Sequence, residues 1–120
     1  MILVDTSIWV GHFRRSDPRL VASLSSGRVA SCDVVLAELR LGSGMPAGLP
    51  ELLARLPQLP IPDTSRALRF LERHAAALAG AGIGFADLLI VACAAESGAP
   101  LMTSDAALAA AWRALGFSAP

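Results

Sequence analysis

Four acidic residues stand where the sequence gives them no ordinary surface role. Asp5 directly follows the apolar run Met1-Ile2-Leu3-Val4, and Asp105 closes Thr103-Ser104-Asp105 after the apolar pair Leu101-Met102. Each therefore sits between a short strand and a helix, at the sheet edge where open α/β folds bind ligands. Glu38 shares a helical face with Val34, Val35 and Leu41, and Asp87 has Ile90, Val91 and Ala94 at its i+3, i+4 and i+7 positions. An ionised carboxylate on an apolar face is costly without a partner. If the four converge, each raises the others' pKa unless a divalent cation compensates, and hard oxygen donors select magnesium or manganese. A structural alternative stands beside this reading: Asp5 and Asp105 as helix caps, each worth about 1 kcal/mol, and Glu38 and Asp87 as partners of arginine in buried ion pairs.

Other chemically capable residues suggest less. His12, on the first helix near Arg14, and His74, among Arg73 and alanines, read as ordinary surface or packed histidines. Trp9 and Trp112 are able to stack on bases, but their apolar neighbours favour core or dimer packing. Clusters at Arg14, Arg15 and Arg19 and at Arg66, Arg69 and Arg73 can neutralise phosphates, although solvated helix faces explain them as well. Cys32 and Cys93 are far apart with no CxxC spacing, which excludes a zinc knuckle or disulfide framework and leaves buried, reduced thiols as the expectation.

The elements that must position the acids alternate in type. A strand over residues 1–4 leads through the Asp5-Thr6-Ser7 cap into a helix over 8–13. A helix over 19–24, a strand over 28–31 and a helix over 34–41 capped by Asp33 come next. Residues 42–50 read as a glycine-proline loop, 51–56 as a helix and 59–61 as a short strand between prolines. Asp63 caps a long helix ending near Gly80; a helix over 84–96, a strand at 101–102 and an alanine-rich helix through Leu115 complete the pattern. Short strands alternating with helices imply an α/β fold with a parallel sheet, and 120 residues without repeat or linker imply one domain over 1–120.

Composition narrows the setting. The chain is 54% hydrophobic and 17% charged, which argues for a packed core, and its ten arginines balance ten acids with no lysine at all. No global basicity marks a nucleic-acid binder. The stretch 75–95 has a single charge, Asp87, but its three glycines and that acid argue against a membrane span. The opening residues show no basic leader or cleavable apolar core, so a cytoplasmic location is expected.

The ordered set Asp5-Thr6-Ser7, mid-helix Glu38, Asp87-Leu88-Leu89-Ile90-Val91-Ala92 and Thr103-Ser104-Asp105 resembles the PIN-domain family over essentially the whole chain, and its VapC toxins in particular. The resemblance implies an α/β/α sandwich with a central parallel sheet and an acidic pocket for one or two magnesium ions, or manganese. It implies metal-assisted endonucleolytic hydrolysis of structured RNA such as tRNA or rRNA, leaving 5′-phosphate and 3′-hydroxyl ends. Asp5, Glu38, Asp87 and Asp105 match the family's acids, with Asp5 and Asp87 foremost as metal ligands, Asp105 next, and Glu38 acting through water or as a base; Thr6 and Thr103 match polar positions beside them. A homodimer and a cognate VapB-like antitoxin are implied as partners. One departure stands out: many relatives have a second acid two residues after the position of Asp105, and here it is Ala107, which puts the second metal's ligand set in question.

Rival classes fit poorly. A phospho-accepting receiver domain requires a lysine, and a haloacid-dehalogenase phosphatase requires an Asp two residues after Asp5, where Ser7 stands. The remaining alternative is a non-catalytic PIN-like module that binds RNA or protein, with Ala107 as its only support in the sequence.

Overall fold

A computed structural model describes residues 1–120. Three short strands, β1 (Ile2–Val4), β2 (Val29–Ala30) and β3 (Leu101–Met102), form a parallel sheet in the order β2-β1-β3. Ile2 pairs with Val29 and Leu3 with Ala30 on one side of β1, and Leu3 pairs with Leu101 and Val4 with Met102 on the other. The strands are wholly apolar and buried, as parallel strands covered by helices must be. β1 is the central strand, with β2 on one side and β3 on the other, so the strand order reverses at its carboxyl end, the topological switch point. Asp5 is the next residue.

Eight helices surround the sheet: α1 (Thr6–Arg14), α2 (Pro18–Ser25), α3 (Asp33–Leu41), α4 (Leu49–Arg55), α5 (Thr64–Arg73), α6 (Ala75–Leu78), α7 (Phe85–Ser97) and α8 (Ala106–Ala114). The expected α/β/α sandwich is thus realised around a narrow sheet. α3 packs against both α1 and α7, and this brings Glu38, the first turn of α1 and the first turn of α7 to one place. Leu3, Val4, Ile8, Trp9, Ile90, Val91 and Leu108 lie in one contiguous core. α7 is apolar almost all round, with Ile90 through Ala94 buried, and it ends where Gly98 takes φ 65° and Ala99 N–H returns to the Ala94 carbonyl at 2.9 Å. No helix is long and apolar enough to cross a membrane.

Several expected boundaries move. The strand expected over 59–61 is reduced to one bridge, Ser31 to Gln58, because Pro60 lacks the N–H that would extend it. The long helix from Asp63 breaks at His74 (φ −114°, ψ 26°), whose ring lies 4.6 Å from that of Phe70. The cap of α3 is Cys32, with no side-chain hydrogen bond, and Asp33 is the first helical residue, where its charge favours the helix N-terminus. α4 begins at Leu49, inside the segment expected as loop.

Candidate active site

Asp5 anchors the site. Its backbone is extended and it caps α1, yet only 4% of its surface is exposed. The Ser7 hydroxyl donates to Asp5 Oδ2 at 2.7 Å, the Thr103 hydroxyl donates at 2.8 Å, and Ser7 N–H approaches at 3.4 Å. The two hydroxyl oxygens lie 3.2 Å apart and accept in turn from the backbone: Ser104 N–H to Ser7 at 2.9 Å, and Asp105 N–H to Thr103 at 3.0 Å. This network ties the start of α1 to the turn between β3 and α8. Oδ2 takes every donor, and Oδ1 has none from the protein.

Glu38 and Asp87 face this anchor from α3 and α7. Thr6 Oγ1 donates to Glu38 Oε1 at 2.8 Å across the α1–α3 contact. Burial pushes the Glu38 carboxyl above its ordinary value; the Thr6 hydrogen bond opposes this, and the charges of Asp5 and Asp87 add to it. Asp87 is raised too, first by burial and then by the charge of Asp5, with the Gly84 N–H opposing and Asp105 adding a little. Asp105 itself is exposed and caps α8 by accepting from Leu108 N–H at 2.9 Å. Glu38 therefore feels the charges of Asp5 and Asp87, and Asp87 those of Asp5 and Asp105, so the four acids gather at one end of the sheet.

They do not, however, close into a tight cluster: no three acid, histidine or cysteine side chains are close enough to hold an ion as they stand. The reason is visible in the contacts. Asp5, Glu38 and Asp105 each commit one oxygen to a protein donor, which fixes where each carboxylate sits. Oδ1 of Asp5, Oε2 of Glu38 and Oδ2 of Asp105 are left without protein donors. No arginine answers them, because the ion pairs are Arg19 with Asp17 and Arg66 with Glu96. The buried arginine pairs weighed for Glu38 and Asp87 are absent. A set of carboxylates with no cationic side chain suits a hard divalent ion.

The remaining sequence candidates fall outside the cleft. Leu41, expected on the apolar face of Glu38, is 88% exposed. Trp9 and Trp112 are core residues; Trp112 Nε1 donates to the Ser118 carbonyl at 3.0 Å, and Trp9 Nε1 has no partner. His12 Nδ1 accepts from Asp17 N–H at 3.0 Å, a structural role. Cys32 and Cys93 are free and buried, as expected. Ser7 is the residue sequence reasoning undervalued. In sequence it is one residue of the Asp5-Thr6-Ser7 cap, and the signal that marks it is a second hydroxyl next to Thr6, placed to meet Thr103.

An open parallel α/β sheet with carboxylates at the carboxyl end of its switch strand, and hydroxyls fixing them, defines the class of the molecule as an acid-site α/β domain. The family is then specific. The PIN-domain profile, described as "PIN domain", matches residues 2–112, and the chain belongs to the PIN-domain family. Within that family it resembles the protein named Ribonuclease VapC32 from two Mycobacterium tuberculosis strains, CDC 1551 / Oshkosh and H37Rv. Identity is 40% over 113 residues, covering 92% of this chain and 90% of theirs. The fold is also similar to the crystal structure of PAE2754 from Pyrobaculum aerophilum, with a TM-score of 0.62 and 23% identity over 94% of this chain and 86% of that one.

Proposed function

We propose that this protein is a divalent-metal-dependent endoribonuclease of the VapC kind, working as a single domain over 1–120 in the cytoplasm, on structured RNA such as tRNA or rRNA. The observation that supports this most is the set of four carboxylates without a cation, at the switch point of a chain 40% identical to a named ribonuclease. Asp5 and Asp87 are the first metal ligands, with Asp105 beside them. A bound magnesium or manganese ion supplies a water of lowered pKa and charge for the leaving oxygen. Asp5 is held in one orientation by Ser7 and Thr103, so Oδ1 stays directed away from the network that occupies Oδ2. Glu38, raised in pKa and steadied at Oε1 by Thr6, presents Oε2 to orient a water or take its proton. A homodimer and a VapB-like antitoxin are the partners in this reading.

The test incubates purified, antitoxin-free protein with total bacterial RNA in magnesium or manganese, with EDTA and Asp87→Asn controls, and maps new 5′ ends by sequencing. Discrete cuts, lost in both controls, are expected. A folded protein that cuts nothing under any metal is instead the non-catalytic binding module.

A further inference from the structure

Outside the carboxylate cleft, one buried polar side chain lacks any partner from the fold. Ser31, just past β2, is 1% exposed. Its backbone is fully paired, with its N–H donating to the Pro57 carbonyl and its carbonyl accepting from Leu59 N–H, both at 2.9 Å, yet its Oγ has no hydrogen bond. A buried hydroxyl left in this way is costly, and native folds rarely keep one without a use.

Ser31 lines a cavity of about 190 Å³ between α3 and α4. Leu53 is buried beside it, Leu36 is half-buried, and Asp33, Ala54 and Gln58 stand exposed around them. Apart from the Ser31 hydroxyl, which can donate or accept, the polar side chains offer acceptors only. Gln58 Nε2 is spent on the Leu53 and Leu56 carbonyls, at 2.7 and 2.8 Å, so Oε1 is what remains to it. Asp33 has no ion pair, and no arginine lines the cavity. Leu53 and Ala54 belong to the last turn of α4, the end of a helix that favours positive charge.

We propose that this cavity binds a primary alkylammonium group, carried by a free amine or by a lysine side chain of another polypeptide. An ammonium has three donors and no acceptor, which matches Ser31 Oγ, Gln58 Oε1 and the Asp33 carboxylate, while Leu36, Leu53 and Ala54 give its methylene stem an apolar wall. The chain has no lysine of its own to supply it. A phosphate would face the Asp33 charge and find no side-chain donor besides the Ser31 hydroxyl. The cavity opens on the α4 side of α3, whereas Glu38 turns to Thr6 on α1, so the site is separate from the carboxylate cleft and independent of the proposed nuclease activity.

The experiment titrates the full chain, ¹⁵N-labelled and metal-free at constant ionic strength, with n-butylammonium chloride, and with n-butanol as the uncharged control. Saturable shifts at the Ser31 and Asp33 amides and the Gln58 side-chain amide are expected at millimolar ligand from the amine alone. Asp33→Asn should weaken binding about tenfold or more. Ser31→Ala should weaken it too while leaving the ligand-free Tm unchanged or raised, because it removes an unpaired buried hydroxyl. Tighter binding of 1,4-diaminobutane than of a capped glycine–lysine–glycine peptide assigns the site to free amines; a peptide that binds as tightly or better admits a protein lysine. Four results overturn the proposal: no saturable shifts from any of these amines, shifts confined to amides around Asp5 and Asp87, butanol binding as well as butylammonium, or both variants binding as tightly as the parent.

Discussion

Replacing Asp5 and replacing Asp87 should move stability in opposite directions, although both are acids of one cleft. Asp5→Ala deletes the acceptor of two short hydroxyl bonds, 2.7 Å from Ser7 and 2.8 Å from Thr103, in a buried residue that also caps α1. Hydrogen bonds to a charged group are worth roughly 1.5–3 kcal/mol each. The freed hydroxyls keep partners, being 3.2 Å from each other and still accepting from Ser104 and Asp105, so about half of that sum is lost. Adding a cap of about 1 kcal/mol and subtracting the relieved repulsion on Glu38 and Asp87 leaves a net loss of about 2–3 kcal/mol. For a domain of this size that lowers Tm by about 8–12 °C.

Asp87→Asn has no such network to break. It removes a carboxylate that burial and the charge of Asp5 already disfavour, so the metal-free variant should be at least as stable as the parent at neutral pH. Urea denaturation of both variants in EDTA, with m-values unchanged, gives the comparison. An Asp5→Ala protein within about 0.5 kcal/mol of the parent would mean that the Ser7–Thr103 anchor is not what joins α1 to the β3–α8 turn. An Asp87→Asn protein as damaged as Asp5→Ala would mean that the repulsion inferred for the cleft is absent.

Further outcomes follow from the same contacts. Glu38 and Asp87 have raised folded pKa values, so their protonated forms stabilise the metal-free fold; that contribution is present below their ordinary values of 4.5 and 3.8 and is lost as pH rises through the folded ones. Thermal melts in EDTA upward from pH 4 should therefore show a decline that Glu38→Gln flattens. Magnesium should raise Tm, by the equivalent of about 2.7 kcal/mol at a hundredfold excess over Kd, and Asp5→Asn should blunt that rise in differential scanning fluorimetry. Trp9→Phe should stay within about 1 kcal/mol of the parent in urea, because losing a buried N–H without a partner offsets lost packing; Trp112→Phe, which gives up both the hydrogen bond to the Ser118 carbonyl and part of the stack on Phe117, should cost more.

The sequence made the site's parts legible where local chemistry and fold agreed. Asp5 and Asp105 announced themselves because a short apolar strand, then an acid, then a helix has few physical readings in an α/β chain. Glu38 and Asp87 were legible as acids among apolar neighbours. What could not be read was distance. Whether Thr6 would meet Glu38, and Ser7 meet Thr103, depends on how α1, α3 and the β3–α8 turn pack, and the residues concerned are 32 and 96 apart in sequence. The same limit explains Leu41, which has the helical phase of the Glu38 face but lies at the last turn of α3, past the neighbours that would have covered it. His74 shows a different failure: no proline or glycine marks the break between α5 and α6, so its neighbours read as one continuous helix.

For Asp5 and Asp105 a capping role and the proposed metal-binding role are compatible. Asp5 and Asp105 do cap α1 and α8, yet each cap uses a single oxygen, leaving the other without a protein donor. A carboxylate that caps a helix is fixed by the backbone it caps, which is a stronger constraint than rotamer preference alone and places the second oxygen with little freedom. Glu38 and Asp87 have no comparable fixture beyond one hydroxyl and one backbone N–H, and they are the two acids whose charge the fold disfavours. The cleft thus divides its acids into a pair held by secondary structure and a pair held in tension by it. A cation that relieves the second pair gains part of its binding energy from the fold's own repulsion, so Asp87, a proposed ligand whose charge the metal-free fold disfavours, should lose metal affinity on substitution without losing metal-free stability, whereas Asp5 should lose both.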